Sequence, residues 1–304
     1  MILKRFFKNK MFDLLSFVFL SFPSQAQAAS DELSLDAMLT WRGQPYEGDT
    51  SAAYMKVTQQ LCAAIANTTN IPNTYGIQGI GIDAQMSFSF IDTTVDVEGE
   101  LARNETPSSW ALMTPDESPS PHLWIPEVQL RKGLPFSFEL GTKVSYIGGS
   151  KQGAYGVWGK FNPLEGSEKG PEVALQFGYS GLVGSDELSL GVRDISLTIG
   201  KSVPFGPYFE SNTSHFIPFL SVGKLKTQSI ILSNNQLQET LDLDNYSSIH
   251  SNEGLEGVQV VNGPTPAFAS IGMHFLSNDF RFQIAYRNTF GTLSSMTMSL
   301  GFLY

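Results

Sequence analysis

The hydrophobic pattern of this chain changes period once. Over residues 51–68, Tyr54, Val57, Leu61 and Ile65 recur at three- and four-residue spacing while Lys56, Gln59 and Gln60 fall elsewhere, which predicts one amphipathic helix. Asp49 or Thr50 can cap its start, and Ile71-Pro72-Asn73 closes it. From Tyr75 onward the period is 2. In 77–91, Ile80, Ile82, Ala84, Met86, Phe88 and Phe90 alternate with Gly79, Gly81, Asp83, Gln85, Ser87 and Ser89, giving a strand with one apolar and one polar face. Soluble strands usually run about five or six residues, whereas a tilted strand crossing a bilayer needs about 9–11. The length favours a membrane.

The same alternation predicts strands near 124–130, 136–146, 153–162, 171–180, 187–201, 213–224, 266–276, 279–290 and 294–304, ten in all, with a tight turn over Arg131–Pro135. In 187–201 the apolar phase flips at Arg193-Asp194, from Leu188, Leu190 and Val192 to Ile195, Leu197 and Ile199, and one extra residue there predicts a β-bulge. Pro126 and Pro218 each remove a ladder donor and weaken their strands. The long connections 92–121 and 225–265 lie on one side of the sheet, and both ends of the chain are expected on the other, beside the shorter turns. An even strand number with such loop asymmetry is the pattern of outer-membrane barrels. The predicted fold class is therefore all-β: an antiparallel transmembrane β-barrel of about ten strands with a short N-terminal helix. That helix is expected at the periplasmic end, with the lumen or another protein as other partners for its apolar face. A soluble periplasmic β-sandwich is the competing architecture.

The N-terminus changes the picture by adding an address. Lys4, Arg5, Lys8 and Lys10 precede a short apolar run from Leu14 to Phe22 and a small-residue cleavage site at Ala26-Gln27-Ala28, the layout of a secretory signal. The expected organisation is a signal peptide over 1–28, a lead-in and helix over 29–74, and an outer-membrane barrel over 75–304. Removing 1–28 takes four of the 19 basic and one of the 29 acidic residues, leaving 15 against 28 and a formal charge of −13. That balance argues against a nucleic-acid partner. No later segment offers 18 consecutive apolar residues, so a closed barrel is the remaining way to satisfy backbone groups in a bilayer. The single cysteine, Cys62, excludes an internal disulfide framework and reads as a buried, inert thiol.

At the end of the chain, Met296, Met298, Leu300, Phe302 and Tyr304 alternate with small or polar residues up to Gly301. This stretch resembles the terminal assembly signal of bacterial outer-membrane β-barrels, with Phe302 and Tyr304 carrying the likeness. The hairpin Val128-Gln-Leu-Arg-Lys-Gly-Leu-Pro-Phe-Ser-Phe-Glu-Leu-Gly141 and the segment Ile71-Pro-Asn-Thr-Tyr-Gly-Ile-Gln-Gly-Ile-Gly81 resemble segments of uncharacterised outer-membrane barrel proteins of proteobacteria. The resemblance implies a barrel in the outer membrane of a Gram-negative bacterium, with lipid and the barrel-assembly machinery as partners. It brings no activity and no catalytic residue.

If the apolar faces meet lipid, the opposite faces line a lumen. They carry Asp83, Gln85, Glu127, Gln129, Arg131, Glu139, Lys143, Lys160, Glu172, Gln176, Arg281, Gln283 and Arg287. Lys or Arg at mid-bilayer on the lipid face costs about 2–4 kcal/mol, so alternation dictates the inward placement, and charges in a narrow lumen must pair or be hydrated. Two readings follow: a porin-like channel of limited permeability for small solutes, or a salt-bridged, closed barrel for structure or surface display. An outer-membrane hydrolase is a third. His122, His215, His250 and His274 show no local signature with a nucleophile, and Asp242, Asp244 and Asn245 lack the EF-hand spacing, so no catalytic residue, metal or cofactor is expected. Loop 225–265, long and acidic, is the expected partner surface or lid.

Overall fold

The computed structural model describes residues 33–41, 44–45, 49–67, 71–72, 79–91, 93, 96–97, 105–114, 119–164, 170–205, 214–232, 259–277 and 279–303. The expected signal peptide, Tyr304, and Asp242, Asp244 and His250 of the acidic loop lie outside these residues.

Ten long strands form the wall: β1 (Ile80–Phe90), β2 (His122–Leu134), β3 (Phe138–Tyr146), β4 (Gly153–Phe161), β5 (Glu172–Val183), β6 (Leu188–Gly200), β7 (Ser214–Ile231), β8 (Ala267–Ser277), β9 (Phe280–Thr289) and β10 (Leu293–Leu303). Each pairs antiparallel with its neighbour in sequence, β6 runs along β7 from Leu188↔Ile231 to Gly200↔Phe219, and β10 returns to β1 through Ser294↔Phe90. The result is a closed up-and-down transmembrane β-barrel with no free edge. Two short strands, Val203–Phe205 and Gln259–Asn262, add to the ends of β7.

Side chains alternate across the wall as the period-2 pattern requires. Leu130, Leu140, Val144, Val157, Phe177, Ile199, Leu220, Ile271 and Leu300 are exposed on the outside, a continuous apolar belt far larger than soluble proteins leave uncovered. Aromatic pairs stand at its borders, Phe138 on Phe161 at 4.6 Å and Phe280 on Phe302 at 5.9 Å near the short turns, and Tyr155 by Tyr179 at 6.2 Å nearer the long connections. Such girdles belong to transmembrane barrels; the sandwich alternative is excluded by closure of the sheet.

Four local expectations are corrected. There is no bulge at Arg193-Asp194: β6 runs in unbroken register against both β5 and β7. Leu188, Leu190 and Val192 point inward, Ile195, Leu197 and Ile199 outward, so the phase flip records an apolar lumen at one end and lipid at the other. The β2–β3 turn lies at Pro135–Ser137, not Arg131–Pro135, because β2 continues to Leu134 opposite Phe138. Phe136 (φ 61°) and Ser137 (φ 58°) take left-handed conformations there, unusual for a bulky residue, and Phe136 is 86% exposed. Strand β7 extends to Ile231 rather than 224, which shortens the expected loop 225–265. Lys224 and Lys226, facing outward, interrupt the apolar face, while Leu225, Ser229 and Ile231 keep lining the interior. The prolines fit without a bulge, since Pro126 and Pro218 each lie one residue beyond the end of a ladder, β2–β3 at Glu127 and β6–β7 at Phe219.

Candidate functional site

The N-terminal helix α1 (Thr50–Ile65) begins at Asp49, whose side chain accepts a 2.9 Å hydrogen bond from the Ala52 amide. It ends at Ile65, three residues before the predicted boundary. It does not sit at the periplasmic end. It stands inside the barrel. The Tyr54 hydroxyl donates to Ser229 Oγ of β7 at 2.8 Å, Cys62 Sγ lies 3.9 Å from Gly191 O of β6, and Arg287 of β9 donates to Ala63 O. A helix enclosed by a wall buries every face, which is why Thr58 and Gln60 are buried with Tyr54, Val57, Leu61 and Ile65 and, within α1, only Lys56 is exposed. The one-sided amphipathic reading missed this because every residue of α1 except Lys56 is uncharged, and the small ones tolerate either environment.

Near the long connections, α1 is packed in apolar side chains of the wall. Leu123, Ile125, Leu182, Leu188, Leu190, Leu225, Phe268 and Leu293 join Tyr54, Val57, Leu61 and Ile65 in one buried cluster. The β1–β2 connection covers it with a short second helix, α2 (Ser109–Met113), capped by Ser108, whose Oγ accepts from the Ala111 amide at 3.1 Å. Trp110 of α2, 1% exposed, donates its indole N–H to Gln60 Oε1, and Gln60 Nε2 donates to Thr292 O at 2.9 Å. Residues preceding α1 lie at the same mouth: the Ser34 amide donates to Met113 O at 2.9 Å and the Leu35 amide to Glu187 Oε2 at 2.5 Å. The expectation that both chain ends lie beside the short turns therefore fails for the N-terminal segment. Trp110-Ala-Leu-Met113, an apolar island in an otherwise acidic loop, was the available signal for this cover.

Below α1, Ala66, Asn67, Ile71 and Pro72 lie against the lumen wall, which becomes polar. Asn67 Nδ2 donates to Asp194 Oδ2 at 2.7 Å, Lys143 Nζ to Ala66 O at 3.1 Å, Lys160 Nζ to Ile71 O at 3.3 Å, and Asn162 Nδ2 to Pro72 O at 2.7 Å. Inward-facing glycines make the space: a Cβ at Gly156 would sit 2.6 Å from Asn67 Oδ1, and one at Gly178 would overlap the same amide. Asp83, Glu127, Arg131, Glu139, Lys143, Lys160, Glu172, Arg281 and Arg287 all point inward and are buried. Six of them form ion pairs across adjacent strands: Arg131–Asp83 at 2.6 Å, Lys143–Glu127 at 2.9 Å and Lys160–Glu139 at 3.0 Å. Gln129 links the rows by donating to Gln85 Oε1 at 3.1 Å. Arg281 and Arg287 are ladder partners of Gly301 and Ser295, small residues that leave room for them, and Phe302 faces outward at the short-turn rim. The described histidines are dispersed: His122 exposed at the mouth, His274 buried in the lumen, and His215 bonded to Ser202 Oγ at 2.9 Å by the short turns. Among the described residues no cluster of His, Cys, Asp and Glu could hold a metal ion.

No protein-family model matches this sequence, and a search of curated proteins finds no match. Among solved structures, the chain is similar in fold to the transport unit of the autotransporter AIDA-I from Escherichia coli (10% identity, TM-score 0.40, covering 85% of this chain and 99% of that one). It is similar also to LpxR from Salmonella typhimurium (10%, 0.33, 74% and 99%) and to Ail, the attachment invasion locus protein of Yersinia pestis (11%, 0.22, 76% and 100%). The barrel architecture itself stands on the closed antiparallel sheet and its outward apolar belt.

Proposed function

We propose that the protein is a closed outer-membrane barrel that holds its own N-terminal segment across the membrane and displays it, with the long loops, at the outer surface. The order of contacts along the lumen carries this reading. Tyr54 and Gln60 meet Ser229 and Thr292 near the long connections, Asn67 meets Asp194 midway, and Pro72 meets Asn162 by the short turns. Long connections face outward and short turns face the periplasm in outer-membrane barrels. With that orientation the chain enters the barrel from outside, descends, and begins β1 at the periplasmic rim.

A narrow small-solute channel is the weaker reading. Barrels of about eight strands are filled by side chains and open channels appear near 16; here a helix occupies the width that ten strands provide. The ion pairs Arg131–Asp83, Lys143–Glu127 and Lys160–Glu139, with the bonds of Lys143 and Lys160 to Ala66 and Ile71, engage these lumen charges with protein. The test is an epitope tag inserted before Leu33. Antibody labelling on intact cells is the expected result; labelling only after the outer membrane is permeabilised would overturn the proposal.

A further inference from the structure

Among the described strand residues, the outward face carries four charges, all cations: Lys132 near the short turns, and Arg193, Lys224 and Lys226 grouped on β6 and β7. The group of three is exposed. Arg193 is the direct ladder partner of Lys226, and Ile195 that of Lys224. Like charges opposed across a sheet repel, and the outward positions of β5 to β8 offer no carboxylate to offset them. Asp194 beside them faces the lumen, where its carboxylate is bonded to Asn67. The placement is also specific in depth. Below the cations run Ile195, Leu197, Ile199, Val222 and Leu220 of the apolar belt, and Tyr179, the ladder partner of Arg193 on β5, belongs to the aromatic border.

A second feature of the same face lies directly beneath. Pro218, Leu220, Ile271, Met273, Ile284 and Met296 line an apolar groove on the outer wall from β6 to β10. We propose that this face binds an anionic, phosphate-bearing lipid of the outer leaflet, its phosphates bridging Arg193, Lys224 and Lys226 and its acyl chains lying in the groove. Cations just above the hydrocarbon are well placed for charge-assisted hydrogen bonds to phosphate oxygens, and an anion between Arg193 and Lys226 turns a repulsive pair into a binding site. The assignment rests on the outer-membrane orientation proposed above, which puts these residues in the outer leaflet.

The refolded mature chain, in nanodiscs of phosphatidylcholine doped with a diphosphorylated glycolipid, tests it by native mass spectrometry of the lipid retained. The expected result is at least tenfold enrichment of the glycolipid over phosphatidylcholine, lost in the triple variant Arg193→Gln, Lys224→Gln, Lys226→Gln and kept in the charge-preserving variant Arg193→Lys, Lys224→Arg, Lys226→Arg. Removal of both phosphates from the glycolipid should abolish the enrichment. Equal retention of the two lipids by the unaltered protein would overturn the proposal, as would displacement of the glycolipid by millimolar inorganic phosphate, which would mark a site for free anion. Failure of the orientation itself reads differently: the tag before Leu33 would be labelled only after the outer membrane is permeabilised, whatever lipid the nanodiscs retain.

Discussion

The two halves of the lumen solve the same problem by opposite means. Toward the long connections the wall turns Leu123, Leu188, Leu190 and Leu225 inward and packs them on α1, so the interior there is a conventional hydrophobic core enclosed by the sheet. Toward the short turns the wall turns Asp83, Arg131, Glu139 and Lys160 inward, pairs them with each other, and ties Lys160 to the backbone of Ile71. The first half gains stability from apolar area removed from water. The second mostly avoids penalties, since buried charges contribute little net stability but are costly when a partner is missing. One half can tolerate small changes of volume; the other cannot tolerate a change of charge.

That contrast can be broken in three ways, in falling order of effect. Leu61→Asp places an unpaired carboxylate in the apolar half, where an uncompensated charge costs several kcal/mol. It should expel α1 while the barrel persists, seen as new protease cleavage within 50–65 alongside unchanged heat-modifiable gel migration. Arg131→Ala leaves the Asp83 carboxylate, 2% exposed, without its ion pair and should cost about 3–5 kcal/mol in urea unfolding. The double change Asp83→Leu, Arg131→Leu should recover most of that loss; a double variant as unstable as the single one would show that the pair holds more than charge balance. Asn67→Ala removes the amide that donates to Asp194 and should cost about 1–3 kcal/mol, with little change in lumen occupancy.

The same contrast explains what the sequence disclosed. In β9, Phe280, Phe282, Ile284 and Tyr286 alternate with Arg281, Gln283 and Arg287, so lipid and lumen faces differ in polarity and the strand is unmistakable. The strand count and the inward row of charges were legible on that basis. In β6 both faces are apolar at different heights, and the period alone then looks like a slipped register. In β7 Lys224 and Lys226 point outward, and a rule that reads apolar as outside ends the strand too early. The position of α1 was not legible for a different reason: periodicity identifies a helix with a greasy face but not the surface it meets. Its partners, such as Ser229 and Gly191, lie more than a hundred residues away, and only the closed sheet brings them together. Loop residue Trp110 was overlooked because the apolar run Trp110–Met113 is too short to show a period and stands in a loop otherwise rich in acidic and turn-forming residues.

Lumen occupancy by the N-terminal segment is the claim on which the rest depends, and conductance reads it directly. The refolded mature chain and a chain lacking residues 33–67, both checked for heat-modifiable migration, would be compared in planar bilayers. Silence from the first and steady single-channel steps from the second is the predicted result. Steps of equal size from both would show that the helix does not close the barrel, and would contradict the account.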